Sequence, residues 1–247
     1  MLLRFAAPIV AASLALPAAA MDLTELSDAE RAQFRAEVRA YLMENPEVIM
    51  EAVDALREKE ANAQAQADVD LVSVNAKAIF DDGYSWVGGN PEGDITLVEF
   101  LDYRCGYCKK AHDEVAKLLE KDGNIRLIVK EFPILGEQSV LASRFAVAVK
   151  QVAGDDSYKA MNDALMAFRG DVTPASLRRM ASTFGLDMDA IEAVMDSDAV
   201  TQEIAETRAL AQRLQITGTP TFVMKDELLR GYLPYDQMKA LLDEKRG

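Results

Sequence analysis

The 247-residue chain has two cysteines, and both lie in one four-residue run, Cys105-Gly106-Tyr107-Cys108. That spacing lets two sulfurs meet within a single turn of chain, so thiol–disulfide exchange is the first chemistry to consider. A purely structural bridge is disfavoured, because closing a four-residue loop is worth about 2 kcal/mol in the chain-entropy account, against about 3 for fifteen residues. A structural zinc site needs four ligands, usually cysteine and histidine. The chain offers two cysteines and one histidine, His112, so neither usual ligand set can be assembled. Capture of a soft metal such as Cu(I) by the same two thiolates is the competing use of the pair.

The flanking elements set the roles of the two sulfurs. Ile95 to Asp102 reads as a strand, Gly106 to Leu119 as a helix ending near Gly123, and Ile125 to Phe132 as a second strand. Strand, helix and strand within about forty residues make a βαβ unit with parallel strands. Cys105 then sits at a helix N-terminus, where unpaired N–H groups and the helix dipole favour an anion. It is the expected nucleophile, and Cys108, one turn into the helix and less exposed, the resolving thiol. Gly106 and Tyr107 are expected to tune the dithiol: the glycine admits a substrate backbone, and the tyrosine offers an apolar face beside the sulfur. Glu99 is out of place in a strand otherwise fit for burial, and a buried, unpaired carboxylate has its pKa raised. Glu131, on the neighbouring strand, is a weaker candidate to join it. Arg104 and Lys109 read as solvated charge, and His112 as a surface or capping histidine.

The rest of the main domain begins near Val72. From Glu137 to about Gln215 the pattern is helical, with Val140, Leu141, Phe145 and Val149 on one face and Tyr158, Met161, Leu165 and Phe168 on another. Thr173-Pro174 opens a further helix closed by Gly185, then come Ile191, Val194 and Met195, and a longer helix through Val200, Ile204 and Leu214. These Met and Phe stripes read as core and not as a cofactor pocket. A β pattern returns at Thr219 to Met224, a turn at Lys225-Asp226 leads to a short strand from Leu228 to Tyr232, and a closing helix runs from about Tyr235 to Glu244.

Two outlying segments differ in kind. Arg4, the apolar run Phe5 to Leu16 and Ala18-Ala19-Ala20 have the form of a cleaved secretory leader over residues 1–20, too short to span a bilayer. No cysteine follows the cleavage site to carry a lipid, so the expectation is a secreted protein without a membrane anchor, in an oxidising compartment where a dithiol can cycle. Loss of the leader removes Arg4 and no acid, taking the formal charge from −14 to −15. Such a balance repels nucleic acid and anionic membrane. Between the leader and the main domain, Ser27-Asp28-Ala29-Glu30 has capping-box form, and Phe34, Val38, Tyr41 and Leu42 recur at helical spacing. Asn45-Pro46 is expected to end that helix and start another, with Asn45 as its N-cap and Pro46 at its first position, Ile49, Val53 and Leu56 on its apolar face and a polar run from Lys59 to Ala67 beyond. Two narrow apolar stripes cannot bury themselves alone. They pack either on the main domain or, the favoured reading, on copies of themselves.

The run Val98-Glu99-Phe100-Leu101-Asp102-Tyr103-Arg104-Cys105-Gly106-Tyr107-Cys108, with Gly218-Thr219-Pro220-Thr221-Phe222 downstream, resembles the DsbA-type branch of the thioredoxin superfamily over about residues 72–247. With its helical stalk the chain is similar to the suppressor-of-copper-sensitivity C group within that branch. The resemblance implies an α/β thioredoxin fold with a large helical insertion at about 137–215, preceded by an N-terminal helical oligomerisation segment. The boundaries expected are a signal peptide at 1–20, a stalk at 21–67 and a DsbA-like domain at 68–247. It further implies that Glu99 serves as a proton relay beneath the dithiol, that Pro220 is cis, and that Thr219 binds substrate main chain. Threonine at 219 matches isomerase-like members, where the dedicated oxidase carries valine. Misfolded or reduced secreted proteins are the implied substrates, a membrane redox partner resets the dithiol, and the oligomer is a homotrimer in preference to a dimer. No cofactor and no metal is called for. Disulfide isomerisation is the leading reading; a monomeric dithiol oxidase and a Cu(I)-binding protein are the alternatives.

Overall fold

The structure is a computed structural model that describes residues 26–247, so the leader expected at 1–20 lies outside the described residues. Two compact units divide at Lys59 and Glu60. In the first, α1 (Asp28–Glu44) starts as its sequence demands: the Ser27 side chain accepts from the Glu30 N–H and Glu30 reaches back to the Ser27 N–H at 2.9 Å. None of α1 is buried, and Phe34, Val38 and Tyr41 stand exposed along it.

The expectation at Asn45 needs correction. Asn45 caps the end of α1, its Nδ2 donating to the Tyr41 carbonyl at 2.9 Å. The next helix, α2 (Glu47–Val74), starts after Pro46 and absorbs the whole polar run in one uninterrupted element. Alanine, glutamine, glutamate and lysine are strong helix formers, and nothing in that run breaks the pattern.

The second unit is built on a five-stranded sheet ordered β1-β3-β2-β4-β5. The strands are β1 (Trp86–Gly89), β2 (Ile95–Leu101), β3 (Ile125–Glu131), β4 (Thr221–Met224) and β5 (Glu227–Arg230). β2 and β3 are parallel and joined by α4 (Gly106–Asp122); the other pairs are antiparallel. A short α3 (Ala76–Phe80) precedes the sheet. The insertion between β3 and β4 holds α5 (Glu137–Ala167), α6 (Pro174–Thr183), α7 (Met188–Met195) and α8 (Asp198–Arg213), and α9 (Tyr235–Arg246) closes the chain. This is a thioredoxin fold with a large helical insertion. Two details escape the sequence pattern. α5 is broken at Gly154, whose φ of 83° no helix accommodates. β1 is a strand of four residues, two of them glycine, and Gly89 is needed there because its φ is 69° and a Cβ would fall 2.4 Å from the Ile125 carbonyl.

Alternation along the central strands sorts the core into two layers. Leu97, Leu101, Leu127 and Val129 face α4 and α5, while Val98, Phe100, Ile128 and Val223 face α3 and α8. Each fully buried aliphatic or aromatic side chain contributes about 1.5–3 kcal/mol, so the sheet is a rigid floor. Glu99 and Glu131 belong by alternation to the α4 side, directly beneath the dithiol helix.

Candidate active site

α4 carries the dithiol because its apolar stripe, Cys108, Ala111, Val115 and Leu118, lies on the sheet while its first turn ends at the surface. Cys105 is the N-cap: its sulfur accepts the Cys108 N–H at 3.4 Å. Both cysteines are free thiols, Cys105 8% exposed and Cys108 fully buried. The hydrogen bond from the Cys108 thiol, with others from Thr219 and from the Cys108 and Tyr107 N–H groups, outweighs burial and brings the Cys105 pKa down to about 5. The same thiol–thiol hydrogen bond, followed by burial, holds Cys108 far above its ordinary value. One proton shared between two sulfurs leaves a single poised nucleophile.

The loop before β4 closes over the nucleophile. The Thr219–Pro220 peptide bond is cis, and the Cys105 sulfur lies 3.1 Å from the Thr219 carbonyl across 114 residues of sequence, a contact in which only its protonated form donates. The Thr221 hydroxyl donates to the Gly218 carbonyl at 2.9 Å and braces that turn. Tyr107 is 65% exposed, its ring 6.4 Å from that of Tyr232. A Cβ at Gly106 would meet nothing within 4 Å, so the residue lies in open space.

Below the dithiol, Glu99 is 2% exposed and its Oε1 has no hydrogen-bond partner. Burial drives its pKa up to about 7, against the pull of His112. Glu99, His112, Lys159 and Asn162 share the wall of a cavity of about 30 Å³, room for a water. His112 is therefore more than a surface group, and its Nε2 also lies 2.9 Å from Asp163 Oδ1. Arg104 and Lys109 are not free charges either. Arg104 donates to the Gly170 carbonyl at 2.8 Å and Lys109 to that of Phe168, tying the end of α5 to the dithiol turn.

Two groups of residues, apart from Glu131, had no sequence signal as parts of a site. The buried Asp102 carboxylate accepts from the N–H groups of Arg104 at 2.7 Å, Ile134 at 2.8 Å and Leu135 at 3.0 Å, and from the Ser139 hydroxyl at 2.8 Å. It joins the dithiol turn to the loop after β3. The hydroxyls of Tyr103 and Tyr158 both donate to Glu131 Oε1 at 2.6 Å. Only assembly brings these side chains together. Among the described residues no group of three or more His, Cys, Asp or Glu is placed to hold a metal ion.

A family model of the DSBA-like thioredoxin domain matches residues 96–243. The chain belongs to the DsbA-like thioredoxin domain family. A second model, the N-terminal domain of the copper resistance protein ScsC, matches residues 30–63. Among solved structures, a thioredoxin-like oxidoreductase of Silicibacter pomeroyi is 41% identical with a TM-score of 0.66, covering 70% of this chain and 98% of that one. ScsC of Proteus mirabilis in a transitional conformation is 28% identical with a TM-score of 0.64, and the match covers 90% of this chain and 98% of that one. Na(+)/H(+) antiporter NhaA 1 of Salinispora arenicola is 29% identical over 155 residues, 62% of this chain but 24% of the antiporter. The chain thus spans about a quarter of the length of the curated antiporters it matches.

Proposed function

We propose that the protein is a thiol–disulfide oxidoreductase that reshuffles protein disulfides as a homo-oligomeric isomerase. The carrying observation is the Cys105 sulfur, its pKa brought down to about 5, capping α4 against the Thr219–Pro220 turn beside a buried Cys108. The Cys105 thiolate attacks one sulfur of a substrate disulfide. A Cys105–substrate bond forms, the substrate S–S bond breaks, and the departing sulfur leaves as a thiolate. Attack by another substrate thiolate on the mixed disulfide then forms a new substrate disulfide and regenerates the Cys105 thiolate, with no net change in oxidation. Where no such thiolate is available, Cys108 resolves the mixed disulfide: its proton passes to the Glu99 carboxylate, its thiolate attacks Cys105, and reduced substrate departs. Thr219 is assigned to the substrate main chain, Pro220 to holding that turn over the dithiol, and Gly106 and Tyr107 to the approach surface.

Association rests on the ScsC N-terminal match and on the exposed stripe Phe34, Val38 and Tyr41. A trimer sharing its stripes would hold several dithiols around one substrate. Export to the periplasm rests on the leader-like residues 1–20, and a membrane redox partner is assigned to resetting the dithiol. Among the described residues no helix is long and apolar enough to cross a membrane. The test is reactivation of scrambled ribonuclease by the full mature chain, paired with its mass by light scattering. Replacing Phe34, Val38 and Tyr41 together by Glu is expected to give monomers that still oxidise dithiols but no longer rescue the scrambled substrate. Rescue undiminished in a proven monomer would remove the oligomeric part of the proposal, and no rescue by the wild type would remove isomerisation.

A further inference from the structure

Beneath the dithiol lie two buried carboxyls, and the exchange described above uses one. β2 and β3 run parallel with Glu99 opposite Val129 and Leu101 opposite Glu131. Glu99 and Glu131 therefore share a face of the sheet, offset by two residues on adjacent strands. Strand spacing and rise place their Cα atoms roughly 8 Å apart. Glu131 is 3% exposed, and with both tyrosines donating to Oε1, its Oε2 has no partner. Asn162 donates to the Tyr103 hydroxyl at 3.1 Å and also lines the small cavity onto which Glu99 opens. The second acid is thus linked through Tyr103 and Asn162 to the wall of the first acid's cavity. We propose that Glu131 is a positioning residue for the resolving half of the exchange, its charge setting the proton affinity of Glu99 across the β2–β3 ladder.

Among the remaining charged and titratable neighbours, the Cys105 thiolate acts on Glu99 in the same sense as Glu131, but that charge is gone once Cys105 is bound in the mixed disulfide. α4 presents His112, Cys105 and Cys108 towards Glu99, and α5 presents Lys159, which is engaged by Asp163. Towards Glu131, α5 presents Tyr158 and Ser143, and α8 the more distant Glu203, which is paired with Lys150. No cation hydrogen-bonds either carboxyl among the described residues, so each is the other's buried carboxylate neighbour on this face. Both are pushed by burial to about 7, and an ionised Glu131 raises Glu99 further. An ionised Glu131 makes Glu99 a stronger base towards the Cys108 proton. In the resolving step that proton moves from Cys108 to Glu99, the Cys108–Cys105 bond forms, and the Cys105–substrate bond breaks with loss of a substrate thiolate.

The inference rests on the exchange reading, and the experiment separates the two. In the full mature chain, decay of a preformed Cys105–peptide mixed disulfide is followed by quenched flow across pH, beside Cys105 alkylation. Glu131→Gln is expected to move the midpoint of resolution towards acid by roughly one pH unit while leaving the alkylation profile unchanged. The Tyr103→Phe/Tyr158→Phe pair removes the donors that favour ionised Glu131, and a shift in the same direction is expected. A folded Glu131→Gln protein with the wild-type midpoint overturns the inference and leaves the exchange reading standing. If that variant does not fold, an unmoved midpoint in the tyrosine pair does the same. A Glu99→Gln protein with the wild-type midpoint, or a wild type that forms no mixed disulfide, overturns the exchange reading and this inference with it.

Discussion

Titration of one sulfur should govern the stability of the reduced protein over four pH units. Cys105 is brought from an ordinary value of 9.0 to about 5 by the hydrogen bonds it accepts in the folded state. A depressed pKa means that the unfolded chain binds the proton more tightly. The stabilisation is therefore complete above pH 9 and is lost as pH falls towards 5. Each unit in that window is worth about 1.4 kcal/mol. The contribution works out at about 0.4 kcal/mol at pH 5, about 2.7 at pH 7 and about 5 at pH 9. Cys108, shifted the other way, enters only above pH 9, where its unfolded-state thiol would ionise. Urea unfolding of the reduced wild type and of Cys105→Ser, from pH 5 to 9 under strong reductant, isolates the effect as the difference between the two. That difference should rise by about 1.4 kcal/mol per unit. The oxidised protein has no thiolate to stabilise, so at pH 7 the same energy makes the disulfide more oxidising by about 60 mV. A flat difference, or one that begins to rise only near pH 8, would show that the α4 N-terminus does not hold a thiolate.

Two further outcomes follow from the buried acids around that sulfur. Glu99 is raised from 4.5 to about 7, so the folded state holds its proton more tightly and stability drops as pH climbs through that window. Glu99→Gln should therefore gain about 3 kcal/mol relative to wild type between pH 4 and pH 8, and a pH-independent difference in unfolding free energy would contradict a buried, unpaired carboxylate. Asp102→Ala strands the buried N–H groups of Ile134 and Leu135 and the Ser139 hydroxyl. The expected loss is at least about 3 kcal/mol, with faster hydrogen exchange at Ile134 and Leu135; Asp102→Asn should recover part of it, and a loss below 1 kcal/mol for the alanine variant would refute the anchoring role.

Much of the fold was legible because local patterns carry it. The strand at 95–101, the helix after Cys105 and the strand at 125–131 are written in periodicity, and the Ser27 and Thr173 caps in residue type. β1 was illegible because a strand of four residues with two glycines has no pattern of its own; it exists through its pairing with β3. Asn45 misled because asparagine can cap either helix end, and the choice depends on which carbonyl lies within reach.

The site divides along the same line. The Cys-x-x-Cys spacing and the helix behind it are local, so sequence alone was enough to place Cys105 as an N-cap and Cys108 beneath it. The anomaly of Glu99 was equally visible, as an acid in a strand made for burial. The tertiary structure decided what these groups face: the Thr219 carbonyl over Cys105, the tyrosines on Glu131, the four donors on Asp102, and His112 at a cavity wall and not on open surface. Apart from the Arg104 N–H on Asp102, a local turn, each of these contacts joins segments that no short-range preference brings together. Their geometry follows from how the two faces of one sheet are filled: burial there lifts the Glu99 and Glu131 carboxyls, and hydrogen bonding between the sulfurs drives the two thiols apart.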